Sequence, residues 1–510
     1  MDFNFKDLFV LDIANNHQGS LEHGKKIINK HSAELKKKNV KAGFKFQFRN
    51  LETFIHRDFK GSKDTKHISR FESTKLSDRE YQELFNLIKE NNFFTICTAF
   101  DEISVDKIIK MKFDIIKVAS CSSNDWPLLE KVSKANIPTI ISTGGLSVSE
   151  IDKIVSFSEH RKMELALMHC VAIYPTKEDE CDLLNIKMLK ERYPNITIGW
   201  STHESPENFD VIKIANSVGA EMFERHIGYE TDKIKLNKYS STPLHISSWL
   251  ESWKNSKKIL GKFDRTKKFK ETESLNELKR GVYLKRKKTK NEILTFDDVY
   301  FSMPCQFGQI SSGEFKNGIM LKSDHQKDEM LKSKNIKFSK QTSAERIYEY
   351  VHRVKAMLNY AKINLGNEFN VEYSHHYGIS KFDKVGCILI ECINREYCKK
   401  ILIQLPGQTH PFHFHKRKEE TFQVLWGNME INVDGRVKNL LPGDTALVLP
   451  GTWHKFQTKI GFIAEEISTT HYNNDSIYKD KTINEKKREE RKTVVKHWGR
   501  FEIKDKLTIQ

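Results

Sequence analysis

Over the first 230 or so residues, short apolar runs alternate with longer stretches whose apolar positions recur at helical spacing. The short runs predict β-strands at 8–14, 43–48, 94–99, 114–119, 138–142, 165–170, 196–201 and 222–227. The stretches between them, such as 77–90 and 206–217, predict amphipathic helices. Repeated β–α units of this size predict an α/β fold, a (β/α)8 TIM barrel. An open doubly wound sheet is the alternative. No Gly-x-Gly-x-x-Gly follows the first run, which argues against a dinucleotide-binding fold.

Parallel α/β folds keep their chemistry at the C-terminal ends of the strands, so those ends carry the candidates. Two of them end in histidine, Gly199-Trp-Ser201-Thr-His203 and Glu224-Arg-His226. Residues i and i+2 share a strand face, so adjacent strands would bring His203 and His226 together as a two-histidine metal site. The alternative is a pair of structural histidines. Lys45 and Lys117 lie inside apolar strands, where an ammonium is costly unless paired. With Thr98, Ser120, Ser142 and Ser201 around them, they read as a cradle for phosphate or carboxylate. The alternative is that both lysines snorkel to the rim.

After Leu260 the pattern changes. The expected division is a barrel over 1–262, a small β-rich domain over 263–325, a linker and helix over 326–369, a second β-rich domain over 370–475, and a charged tail over 476–510. Within 370–475, His413, His415 and Glu420 precede Pro442-Gly-Asp444 and Pro450-Gly-Thr-Trp-His454. Three imidazoles and one carboxylate suit manganese, iron, nickel or zinc. These segments resemble the two cupin motifs, which implies a small β-barrel holding a second divalent metal on His413, His415, Glu420 and His454. The stretch from Ile463 to His471 is faintly similar to cupin sugar isomerases of the lyxose isomerase type. Glu466 within it otherwise reads as an ordinary exposed strand residue.

Composition changes this picture little. The net charge of +17 is spread over helix faces and loops without an aromatic-interleaved basic stripe, so it predicts a solvated surface and no nucleic-acid binding. No run reaches the roughly 18 apolar residues of a membrane span, and no membrane association is expected. The 8 cysteines form no Cys-x-x-Cys pair and predict reduced thiols in the cytoplasm.

Taken in order, Asn16-His17-Gln-Gly19, Lys45-Phe-Gln47, Thr98-Ala-Phe-Asp101, Lys117-Val-Ala-Ser120, Ser142-Thr-Gly-Gly145, His169-Cys170 with Tyr174-Pro-Thr176, and the two histidine segments resemble the sialic acid (N-acetylneuraminate) synthase family. The resemblance implies condensation of phosphoenolpyruvate with an N-acyl hexosamine or related aldose to give a nonulosonic acid. It implies a divalent metal, Mn2+, on His203 and His226. Phosphoenolpyruvate would lie on Lys45, Thr98, Lys117, Ser120, Ser142 and Ser201, and the sugar on Gln47 and Tyr174. Asp12 stands where the family has a catalytic Glu near the metal. The resemblance also implies an antifreeze-like (SAF) small domain and a homodimer. The sugar half departs from the pattern. Ser122 replaces an acid, Ala172 replaces an Asn, Asn237 or Lys238 stands in for a missing sugar-binding Asp, and Met303 replaces an Arg.

Overall fold

The computed structural model describes residues 3–495, apart from 63, 65, 263–268 and 367–369. The chain divides into two compact units, Met1–Arg265 and Thr266–Gln510.

The first unit is a closed barrel of parallel strands in sequence order: β1 (Leu8–Asp12), β2 (Ala42–Phe48), β3 (Phe94–Ala99), β4 (Ile115–Val118), β5 (Thr139–Ser142), β6 (Leu165–Cys170), β7 (Thr197–Thr202) and β8 (Met222–His226). β8 closes onto β1 with Asp12 opposite His226. The open-sheet alternative is therefore set aside. Helices follow the strands, with starts written in the sequence. Ser77 caps Asp78–Glu90 in a capping box with Glu80, and Ser147 caps Val148–His160 with Glu150.

Side-chain alternation gives the barrel two apolar shells. Phe9, Leu11, Phe44, Phe46, Ile116, Val118 and Ile141 point outward into the helices. Leu8, Val10, Ile96, Ile115, Ile140, Met168 and Met222 fill the floor of the barrel. Two residues further along each inward face the chemistry turns polar. Val10 is followed by Asp12, Ile96 by Thr98, Ile115 by Lys117, Ile140 by Ser142 and Met222 by Glu224. A dry floor beneath a polar layer raises the strength of every charge interaction above it.

The second unit begins with a small module. Gly281–Leu284 pairs with Val299–Ser302, and Ile319–Leu321 pairs with Ile293–Leu294 and Ile336–Lys337. Leu331 and Ile336 belong to its core. Residues 326–337, expected as linker, are thus part of this module. The predicted helix follows as Ser343–Tyr360.

Beyond it stand two facing sheets, one of seven strands and one of five. Phe422, Met429, Ile431, Phe456 and Phe462 pack between them, while Ile347, Tyr350 and Val354 of the helix cover the large sheet's other face. The expected charged tail from 476 is instead partly built in. Ser476–Tyr478 pairs with His413–His415, and Lys492–Val495 pairs with Val371–Ser374. Alternating Thr493 and Val495 are buried, a strand signal the surrounding charges mask. The expectation for 496–510 lies outside the described residues.

Candidate active site and metal centre

Strand register assembles the barrel site. Asp12 lies opposite Lys45, Gln47 opposite Thr98, Thr98 opposite Lys117, and Ser201 opposite Glu224. Lys45, Lys117 and Glu224 are buried, and both ammonium groups reach one carboxylate. Lys45 Nζ is 3.1 Å from Glu224 Oε1, and Lys117 Nζ is 2.8 Å from Oε2. Lys45 also sits 3.0 Å from Asp12 Oδ2. The rim-snorkelling alternative does not hold. Burial alone would favour the neutral acid at Glu224, but Lys117 and Lys45 outweigh it and hold the carboxyl well below its ordinary range. Lys45 has two carboxylates against its own burial and is held above the usual lysine range. Lys117, buried and sharing one carboxylate with a second lysine, is pushed down.

The hydroxyls follow the expected layer. Ser201 donates to Glu224 at 3.2 Å. Ser120 Oγ accepts from Gly144 N at 3.1 Å, and a Cβ on Gly144 would lie 2.7 Å from that oxygen. Ser142 is buried near the same turn, where its carbonyl accepts from Ser123. Thr98 Oγ1 is buried with no hydrogen-bond partner, an orphan that a ligand oxygen would satisfy.

His203 and His226 come together at the barrel mouth, ring centroids 5.3 Å apart. His203 donates through Nδ1 to Val171 O at 3.0 Å, the tautomer that leaves Nε2 free to ligate. His226 Nδ1 lies 3.4 Å from Asp12 Oδ2, so Asp12 reaches His226 despite its short side chain. Burial, reinforced by His226, pushes His203 down to about 3, and burial also lowers His226. Both rings are therefore neutral near pH 7, the form that binds metal. This donor chemistry fits a divalent ion.

Gln47 joins Asp12 to the rim, donating to Asp12 Oδ2 at 3.0 Å and accepting from Arg49 at 3.0 Å. The Tyr174 ring stands 4.2 Å from His203. Asn237 accepts from Tyr239 N at 3.1 Å, a turn contact that presents Tyr239 within 5.3–5.4 Å of His226 and Tyr174. Glu224, Tyr239 and Arg49 join the site although the sequence assigned them no role there. For Glu224 the signal was available, because two buried lysines require a buried acid. His169 does not join it. Its ring faces outward, against Trp200 and Cys181 O, because Met168 and Cys170 take the inward positions.

The second unit gathers His413, His415 and His454 with their ligating atoms within 4.8 Å of one another. Each Nδ1 is engaged behind the site: His413 on Pro411 O at 3.1 Å, His454 on Thr452 O at 3.1 Å, and His415 near Ser476 Oγ at 3.3 Å and Asp475 Oδ2 at 3.5 Å. The three Nε2 atoms are left for an ion. Glu420 brings Oε1 to 3.3 Å from His415 Nε2 and Oε2 to 3.2 Å from His454 Nε2. Glu420 Oε2 and His454 Nε2 are buried and have no hydrogen-bond partner. Orphaned donors converging on one point fit a metal. Behind them Lys418, also buried, contacts Glu420 and lies 2.8 Å from Glu466. Glu466 is 3% exposed, so the alternative of an ordinary exposed strand residue does not hold.

A parallel barrel with a two-histidine mouth over a buried lysine–carboxylate layer, joined to a double sheet with a three-histidine, one-glutamate centre, is the class these features define. The NeuB family profile matches residues 36–265, and a cupin domain profile matches residues 401–459. An uncharacterized protein of Methanocaldococcus jannaschii is 30% identical over 57% of this chain and 82% of its own length. The N-acetylneuraminate-9-phosphate synthase of Drosophila melanogaster is 33% identical over 42% of this chain, which spans 59% of that relative. The crystal structure of a Chromobacterium violaceum protein assigned to spore coat polysaccharide biosynthesis is 40% identical, with 65% of this chain and all of that one covered at a TM-score of 0.63. The chain belongs to the NeuB family and carries a cupin domain at its C-terminal side.

Proposed function

We propose that the barrel is a nonulosonic-acid synthase, condensing phosphoenolpyruvate with an open-chain N-acyl hexosamine or related aldose and releasing phosphate, in surface polysaccharide biosynthesis. The observation that carries the reading is the buried Lys45–Glu224–Lys117 array, with the unpartnered Thr98 hydroxyl beside it and two neutral histidines above. The lysines and the hydroxyls of Thr98, Ser120, Ser142 and Ser201 hold the phosphate and carboxylate of phosphoenolpyruvate, while Glu224 pairs with both lysines and keeps them in place. A divalent ion on His203 and His226, manganese in this reading, supplies Lewis acidity toward the aldehyde oxygen.

Gln47, Tyr174 and the Asn237 turn orient the sugar so that its aldehyde carbon meets carbon 3 of phosphoenolpyruvate. The new carbon–carbon bond leaves carbon 2 electron-poor, and water adds there. Asp12, held by Lys45, Gln47 and the amide of Ala14, takes the proton from that water. Collapse to the keto acid expels phosphate with its bridging oxygen. Run in water labelled with heavy oxygen, the reaction therefore releases phosphate free of solvent oxygen. Labelled phosphate would mean cleavage at phosphorus and would exclude this route. Turnover of N-acetylmannosamine as efficient as that of every other sugar tested would count against an altered acceptor pocket.

A second activity in the cupin is supported by the buried Lys418–Glu466 pair beside the ligand Glu420. A carboxylate and an ammonium next to a metal are suited to moving a proton between neighbouring carbons of a sugar, as isomerisation or epimerisation requires. Hydrogen exchange into candidate sugars, followed by NMR on the full chain and on Glu466→Gln, tests it. Sugar binding without exchange would leave the cupin as a binding or oligomerisation module.

A further inference from the structure

Inside the cupin, between its two sheets, Lys400, Lys418, Glu466 and Lys492 line the same cavity as His413 and Glu420. Lys400 and Lys418 are buried, and Lys492 is largely so. Strand alternation turns Lys400 inward. Its neighbours Ile401 and Ile403 pack under the covering helix, while Lys400 and Leu402 face the cavity. The cavity measures about 40 Å³, room for about three water molecules. That admits the head of a ligand, such as a carboxylate and the carbon beside it, while a sugar ring stays in the opening.

The acids of this interior are already matched. Glu420 and Glu466 both meet Lys418. Glu372 is shared by Lys492 at 2.6 Å and Arg488 at 2.8 Å. Asp475 accepts from the amides of Arg417 and Lys418. Lys400 is left over. Among the described residues the one carboxylate at ion-pair distance from it is Glu391, which is 3.7 Å away with its side chain 43% exposed. A pair that long and that screened compensates a buried ammonium poorly. His471 stands among the same cations. Burial, then Lys400, Lys418 and Lys492, pushes it down to about 2, so its ring is neutral, and its Nδ1 is buried without a partner. A divalent ion on the ligand set would add two positive charges to this interior, where uncompensated charge is costly. An anion is what the cavity lacks.

We infer that the cupin cavity takes the carboxylate head of an acidic ligand, held by Lys400 and the His471 ring, with the oxygen on the neighbouring carbon turned to the metal ligands. The ligand class is a 2-oxo or 2-hydroxy acid. The inference rests on the reading of the cupin as a metal centre that handles a sugar, and it names the substrate class. The proposed condensation consumes a neutral aldose and makes a keto acid, so the cupin follows the barrel in the reaction sequence and does not supply it.

The test uses full-length protein carrying His203→Ala and His226→Ala, in which the cupin is the one expected Mn2+ site. Relaxation of water protons by the bound Mn2+ reports displacement of water from the ion, whether or not any sugar turns over. The protein is titrated with pyruvate, N-acetylneuraminate and neutral N-acetylmannosamine. N-acetylneuraminate lowers the relaxation with a Kd at least about 10-fold below that of N-acetylmannosamine. Its methyl ester, which lacks the charge, binds about 10-fold or more weakly, a comparison that requires no further variant to fold. Lys400→Met keeps the apolar stem and raises the Kd of the acid about 10-fold or more, with the Mn2+ content by elemental analysis unchanged.

Binding of pyruvate alone overturns the order of the two sites. Equal or tighter binding of N-acetylmannosamine overturns the acid class and leaves the cupin a neutral-sugar site. No response to any of the three overturns the inference together with the reading beneath it. Unchanged acid binding in Lys400→Met, or equal binding of acid and ester, refutes the carboxylate subsite.

Discussion

At the scale of single residues, Glu224 is the keystone of the barrel layer. Glu224→Gln leaves two buried ammonium groups facing a neutral amide. The expected cost is about 3–5 kcal/mol, since breaking a buried ion pair strands its partners. Lys117→Met costs less, because Glu224 keeps Lys45 and Lys45 keeps Asp12. Denaturant midpoints of the two variants give this order, and a smaller loss in Glu224→Gln would contradict it. Gly144→Ala should also disturb the anion cradle, since its Cβ would collide with the Ser120 hydroxyl. The expected result is at least a tenfold loss of kcat/KM with phosphoenolpyruvate and little change in the folded fraction by circular dichroism.

Much of this layer was legible in the sequence. An ammonium within an apolar strand advertises a partner, and i, i+2 spacing placed His203 with Ser201 and His226 with Glu224. What could not be read is which acid serves which lysine. That depends on the stagger of a closed barrel, which brings β8 to face β2 and β4 across the interior. Tyr239 and Arg49 were hidden for another reason. Both sit on segments beyond the strand ends, where no periodicity tells which way a side chain points.

At the scale of elements, the strand Lys492–Val495 shows how charge can mask structure. Its neighbours are so rich in Lys, Arg and Glu that composition points to a solvated tail. Yet it completes the large sheet against Val371–Ser374. Glu372 pins it, 2.6 Å from Lys492 and 2.8 Å from Arg488. Burial would raise the Glu372 pKa, but Lys492 and Arg488 outweigh burial and bring it down to about 2. A carboxyl depressed on folding contributes stability that is present above its unfolded pKa near 4.5 and is lost as pH falls toward 2. That contribution is on the order of 2–3 kcal/mol. Amide exchange in 492–495 should therefore accelerate below about pH 4.5 relative to the barrel strands, and Glu372→Gln should remove that pH dependence. Exchange that tracks the barrel at every pH would show that the pair does not hold the strand. The cupin ligands were more legible than this strand, because His-x-His and its following Glu sit at fixed offsets. Their support by Asp475 and Ser476 was not, since these two residues are the last of the expected domain and the first of the expected tail.

At the scale of the whole molecule, the two donor sets belong to separate compact units. Two divalent ions per chain are expected by elemental analysis. His203→Ala with His226→Ala should leave one, and His413→Ala with His454→Ala should leave the other. A chelator should lower the melting temperature of the wild-type cupin, since an ion bound only to the folded state stabilises it by mass action. The His413→Ala, His454→Ala protein should not respond in that transition. One ion in wild type would remove one of the two assignments. No helix among the described residues is long and apolar enough to cross a membrane.

The most direct test of the barrel chemistry is acceptor-dependent release of phosphate from phosphoenolpyruvate by full-length wild type, His226→Ala and His454→Ala in the presence of manganese. The expected result is release in wild type, a loss of at least 100-fold in His226→Ala, and release retained in His454→Ala. Undiminished release in His226→Ala, or its loss only in His454→Ala, would contradict it.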